Sequence, residues 1–229
     1  MRHLSLLGGL LVAALGVVGL AAQTPADNAV DGSTPLHQAV RQNDLKAVQA
    51  LITRGADVKA ATRYGVTPVG LAALNGNAAI LRALLGAGAD PNSATPGGET
   101  ALMTAARTGN ADAVTLLLDR RADVNAKDPV RAQTALMWAV TENHPDIVKL
   151  LVARGADVKA QTRVATPKGE YVPARAGGAS GNGIIRQRAL PTKDGGMAPL
   201  LFAVRDGNVA MTRLLLELIA GVAHPIAEP

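Results

Sequence analysis

Cysteine is absent from the 229 residues. Its absence excludes disulfides, thiolate metal sites, cysteine nucleophiles and acylation through cysteine. Aromatic side chains are almost as scarce, with only Trp138, Phe202, Tyr64 and Tyr171 in the whole chain. At 48% apolar residues the chain is too hydrophobic for disorder, yet its core must be built from Ala, Leu, Val and Gly. Four scattered histidines (His3, His37, His144, His224) leave little for a metal centre. No glycine-rich phosphate loop and no nucleophile–base arrangement is found, so neither a cofactor nor an enzymatic activity is expected.

The formal net charge of +5 is unevenly placed. Residues 160–197 carry Arg163, Lys168, Arg175, Arg186, Arg188 and Lys193 against Glu170 and Asp194. That segment and Arg2 account for the whole net charge, and the remainder of the chain is neutral. The basic segment reads as a solvated loop or as a site for an acidic partner. Aromatic residues do not interleave its cations apart from Tyr171, so nucleic acid is not an expected partner.

Arg2 and His3 precede an apolar run from Leu4 to Leu20, followed by Ala21-Ala22-Gln23. A basic start, an apolar middle and a small-residue end make the three-part pattern of a secretory signal peptide over residues 1–22. Cleavage is expected after Ala21 or Ala22, followed by a short linker, 23–30. The mature chain would then be periplasmic or secreted. If the segment is retained instead, it is nearly long enough to anchor the chain in a membrane.

The dominant signal is internal repetition. Thr34, Thr67, Thr100 and Thr134 lie 33, 33 and 34 residues apart, and Ala198 follows 64 residues later. Each opens a related run: Thr34-Pro35-Leu36-His37, Thr67-Pro68-Val69, Thr100-Ala101-Leu102, Thr134-Ala135-Leu136 and Ala198-Pro199-Leu200. Threonine suits a helix N-cap and proline the first helical position. Asn43, Gly76, Gly109, Asn143 and Gly207 follow in phase, the residue types that most readily turn left-handed at a helix end. Asp44, Asn77, Asn110, His144 and Asn208 come next as N-caps of a second helix. Apolar pairs such as Leu81/Leu84/Leu85 and Val114/Leu117/Leu118 then recur at helical spacing. Gly55-Ala56-Asp57, Gly88-Ala89-Asp90, Arg121-Ala122-Asp123 and Gly155-Ala156-Asp157 end that helix and begin a projecting loop, which the aspartates are expected to fasten.

These in-phase runs resemble ankyrin repeats over roughly Asp31 to Leu218. The resemblance implies an all-α repeat fold, an ankyrin-type solenoid of helix-turn-helix units with hairpin loops. It also implies that His37 links neighbouring turns by hydrogen bonds. Repeats 1–4 are expected over 31–159, a Gly/Pro/Arg-rich inserted loop over 160–197, a partial fifth repeat over 198–219 and a tail over 220–229. Within the insertion, Tyr171, Val172, Ile184 and Ile185 could pair as strands. Two departures stand out. Arg121 occupies a glycine position, and Ile219 and Gly221 replace the final glycine and aspartate, so a frayed last repeat is expected.

By the resemblance, the fourth residue after each opening faces a concave groove: Gln38, Leu71, Thr104, Trp138 and Phe202. Their neighbours Arg41, Leu74, Arg107, Thr141 and Arg205 rim it. The chain's only Trp and only Phe thus share one register beside the insertion, and tryptophan is favoured at binding hot spots. Two readings of them are open, an exposed partner site and a local core covered by the inserted loop. The expected function is non-catalytic binding of another protein through groove and hairpin loops by a monomer. A membrane-tethered version and a truncated structural fragment are the alternatives.

Overall fold

The computed structural model describes residues 31–163 and 195–223. The opening residues act as the sequence suggests. Thr34, Thr67, Thr100 and Thr134 each accept a hydrogen bond on the side chain from the backbone N–H three residues on. They start the inner helices α1 (Pro35–Arg41), α3 (Pro68–Asn75), α5 (Ala101–Thr108) and α7 (Ala135–Thr141), and α9 (Pro199–Arg205) begins after Ala198. Asn43, Gly76, Gly109, Asn143 and Gly207 all have positive φ, between 56° and 80°, and turn the chain into the outer helices. These are α2 (Leu45–Thr53), α4 (Ala78–Gly86), α6 (Ala111–Asp119), α8 (Pro145–Ala153) and α10 (Val209–Ala223). Asp44, Asn77, Asn110 and Asn208 cap them through their side chains.

Inner helices pack in the order α1, α3, α5, α7, α9, and outer helices in the order α2, α4, α6, α8, α10. Five helix pairs therefore stand in ranked succession, each meeting its neighbours. Ala39, Ala72, Ala105, Ala139 and Ala203 are all buried, small side chains that suit closely packed helices. Leucine, isoleucine and valine fill the space behind, with Leu36, Ile80, Leu81, Leu84, Leu102, Leu117, Leu136, Ile147 and Leu151 fully enclosed.

His37 is buried and joins two repeats. Its Nδ1 accepts from the Thr34 backbone N–H at 3.2 Å, so Nε2 carries the proton and donates to the Val66 carbonyl at 3.0 Å. Asp57, Asp90, Asp123 and Asp157 fasten the hairpin loops, each accepting at 2.8–2.9 Å from the backbone N–H two residues on. Arg121 does adopt the left-handed conformation expected of the glycine it replaces, at φ 66°.

Two expectations need correction. His144 sits at the N-cap of α8 but makes no side-chain cap bond. Its Nε2 instead donates across the repeat to the Arg107 carbonyl at 3.2 Å, the kind of tie that Asn110 makes to Gly76 at 2.9 Å. The last repeat does not end at residue 219, where the tail was expected to begin. With Ile219 in place of a left-handed glycine nothing stops the helix, and α10 runs for 15 residues where α8 has nine. Leu218 and Ile219 pack half-buried against the core. The outer face of this last pair stays open among the described residues. Val204 is 55% exposed, whereas its counterparts Val40, Ala73, Ala106 and Val140 are at most 3% exposed under the next repeat. The expected strand pair at Tyr171, Val172, Ile184 and Ile185 lies outside the described residues, as does the apolar segment 1–22.

Burial holds the His37 pKa below its ordinary 6.5, outweighing the bond to Val66. The unfolded chain therefore binds the extra proton more readily, and stability is complete above pH 6.5 and falls as pH drops below it. Urea unfolding between pH 7.5 and 5.5 should show that loss, at no more than about 1.4 kcal/mol per pH unit, and His37→Gln should flatten it. Arg121→Gly should raise stability by about 1 kcal/mol by relieving the left-handed side chain, measured by the same unfolding midpoint.

Candidate functional site

The chemistry of the concave side follows from which inner-helix positions escape the stacking. Of the ten residues expected to face a partner, the structure gathers eight into two recesses. Leu71, Leu74, Thr104 and Arg107 line a small one of about 140 Å3 between repeats two and three. Trp138, Thr141, Phe202 and Arg205 line a larger one of about 540 Å3 between repeats four and five. Gln38 and Arg41 belong to neither, being exposed on α1, where Arg41 pairs with Asp31 at 3.6 Å. Hydrogen bonds from Ser33 and the nearby Arg41 hold the Asp31 carboxyl below the usual carboxylate range.

Burial sorts the same residues by role. Leu74, Arg41, Gln38 and Arg205 are exposed, and Arg107, Trp138 and Thr141 are half-buried. Leu71, Thr104 and Phe202 are buried. They line the recesses from within. The Thr104 hydroxyl is already used, donating to Glu99 at 3.0 Å. Thr141 likewise donates to the Met137 carbonyl at 3.0 Å.

The two aromatic rings each lie beneath an arginine. Arg107 stands 5.8 Å from the Trp138 ring centroid and Arg205 stands 5.1 Å from that of Phe202, distances at which the ring face attracts the cation. Both guanidiniums are steadied from behind. Glu99 holds Arg107 at 3.2 Å, and Asp206 holds Arg205 in a two-point contact at 2.7 and 3.2 Å. That contact pushes the Arg205 pKa up and the Asp206 pKa down.

Hairpin loops supply the rest of the larger recess: Val130, Arg131, Gln133, Thr162, Arg163, Gly195 and Met197 line it too. Sequence reasoning had not chosen these as site residues. Their position depends on a stem closed the same way at each of the four repeat junctions. Thr62 N–H donates to the Val66 carbonyl at 3.0 Å, Thr95 to Glu99 at 3.0 Å, Asp128 to Gln133 at 3.1 Å and Thr162 to Met197 at 3.1 Å. The return bond goes to the side chain of the first residue, from Val66, Glu99, Gln133 and Met197 in turn. The last stem thus closes as the others do, although residues 164–194 intervene. The recurring threonine or aspartate 28 residues after each opening threonine was the available signal.

Glycine is demanded where one repeat presses on the next. Gly109 has φ 80°, and a Cβ there would meet the His144 ring at 2.6 Å. A Cβ at Gly98 would run into Pro129 beside the recess. Among the described residues no group of three metal-ligating side chains comes together.

The family model described as ankyrin repeats (3 copies) matches residues 11–95 and 69–162. These matches span more than half of the chain, which belongs to the ankyrin-repeat family. No curated protein matches it. Ankyrin repeats generally mediate protein–protein interaction and are typically non-catalytic scaffolds. The family match begins within the apolar segment, and its residues 11–30 lie outside the described part.

Since Phe202 is buried and Trp138 half-buried, truncating them should differ. Phe202→Ala should cost about 3–5 kcal/mol, and Trp138→Ala about 2 kcal/mol because part of the ring already faces solvent. Chemical denaturation of the two variants checks the order.

Proposed function

We propose that the chain is a non-catalytic protein-recognition module that works outside the cytoplasm, with the recess over Trp138 as its principal contact. The observation that carries this reading is the half-buried Trp138, held beneath Arg107 at the mouth of a recess on the concave side. A rigid aromatic that keeps part of its surface free, ringed by arginines, is what binding hot spots are built from. Leu74 and Arg107 extend the contact toward repeat two, and the hairpin loops rim it. No cofactor enters the reading.

Export rests on the signal-peptide pattern of residues 1–22. The membrane-tethered reading draws on the same segment left uncleaved. Among the described residues no helix is long and apolar enough to cross a membrane, so a tether would have to come from that segment. The exposure of Val204 on α9 among the described residues is the feature that supports the reading as a structural fragment.

A pull-down from the extracytoplasmic fraction, comparing the intact chain with Trp138→Ala, tests the recognition site. The variant is expected to fold and to lose most of the captured partner. Equal capture by both would remove the recess from the function. Sequencing the mature N-terminus tests export, with Ala22 or Gln23 expected as the first residue and an intact Met1 pointing to the tether or to the cytoplasm.

A further inference from the structure

The larger recess brings apolar and cationic side chains together. The buried Phe202 and the half-buried Trp138 and Met197 give it an apolar lining, and the exposed Val130, Arg131, Arg163 and Arg205 line it too. Carboxylates near it are already engaged. Asp206 is taken by Arg205, and Glu99 by Arg107 and Thr104. Asp128 accepts three backbone N–H groups, from Val130, Arg131 and Gln133 at 2.9, 2.7 and 2.6 Å. Arg131 and Arg163 therefore have no carboxylate partner among the described residues. They are set side by side by the backbone, for the Arg163 N–H donates to the Arg131 carbonyl at 2.7 Å.

The chain that leaves the recess at Arg163 and returns at Gly195 adds Lys168, Arg175, Arg186, Arg188 and Lys193 against Glu170 and Asp194. Apart from Arg2, the rest of the protein is neutral. That residue aside, its net positive charge thus lies in Arg163 and the segment that follows it in sequence.

We propose that this recess takes an acidic peptide segment of a partner protein, seating an apolar side chain beside Trp138 and Phe202 and carboxylates on Arg131 and Arg163. The inference rests on the recognition function proposed above and adds the chemistry of what is recognised. An arginine fork matches a carboxylate in two-point geometry, and charges of this kind set specificity and association rate. A nucleic acid fits less well. Phe202 is buried beneath Arg205, so the recess lacks the row of open aromatic faces on which successive bases stack.

Trp138 is the only tryptophan and reports directly on the recess. The full chain is titrated with three blocked peptides built around a leucine pair and flanked by glutamate, glutamine or lysine, and with a single-stranded oligonucleotide. Saturable change in Trp138 emission is expected with the glutamate peptide alone. Raising ionic strength from about 0.1 to 1 M, which shortens screening from about 10 to 3 Å, should weaken it severalfold. Arg131→Glu/Arg163→Glu should weaken it at least tenfold with an unchanged unfolding midpoint, since both side chains are exposed. Arg131→Gln/Arg163→Gln should give an intermediate loss. Equal binding of the glutamine peptide, no effect of the arginine variants, or preference for the oligonucleotide would overturn the proposal. If the glutamate peptide fails while the Trp138-dependent pull-down succeeds, recognition stands and the acidic chemistry falls.

Discussion

A short helix pair cannot bury its own apolar face, and everything else in this protein follows from that shortfall. A seven- or eight-residue inner helix and a nine-residue outer helix leave an apolar face on each side of the pair. The next pair covers it, and small residues recur in phase at the buried Ala39, Ala72, Ala105 and Ala139. Stability is consequently distributed along the stack and passed between neighbours. The last pair shows the constraint by violating it: Val204, the counterpart of the buried Val140, stands open to solvent.

Polar groups that the stacking would strand are tied across the same interfaces. His37 reaches Val66, Asn75 reaches Val40, Asn110 reaches Gly76 and His144 reaches Arg107. Asn92 and Asn125 do the same at the base of the hairpins, each donating to a carbonyl of the next repeat and accepting the backbone N–H of Asp123 or Asp157. Among the described residues no buried side-chain polar atom lacks a partner. Each tie spans a single repeat junction, so register is enforced locally. A stem such as Thr162–Met197 can therefore close around residues 164–194 without disturbing the repeats on either side. The recess over Trp138 exists because that stem, the Asp128–Gln133 hairpin and two inner helices meet there.

Much of the fold was legible because helix starts and stops depend on short-range chemistry. Threonine caps, left-handed Asn and Gly, and aspartates that accept from the residue two ahead act within a few positions of themselves. Period and composition expose them directly. His144 is the N-cap residue that its place in line predicts, but its imidazole beside Gly109 bonds to the previous repeat instead of capping the helix. The length of α10 beyond residue 219 was not foreseen, because a missing stop signal lengthens a helix that packing can still hold.

The concave residues were legible as a register and no further. That Trp138 and Phe202 share a face follows from counting along the chain, since inner-helix positions repeat with the modules. That Phe202 is buried and Trp138 half-buried, and which hairpin side chains line the recess with them, depends on how the repeats pack. The sequence by itself determined the helix pairs, their turns, their order and the location of the net charge, all of which rest on interactions within one repeat. Only the tertiary structure decided which polar atoms bridge the repeats, which groove residues stay open, and that Arg131 and Arg163 meet at one recess. Those outcomes depend on distances between segments about a repeat apart, which no local pattern encodes.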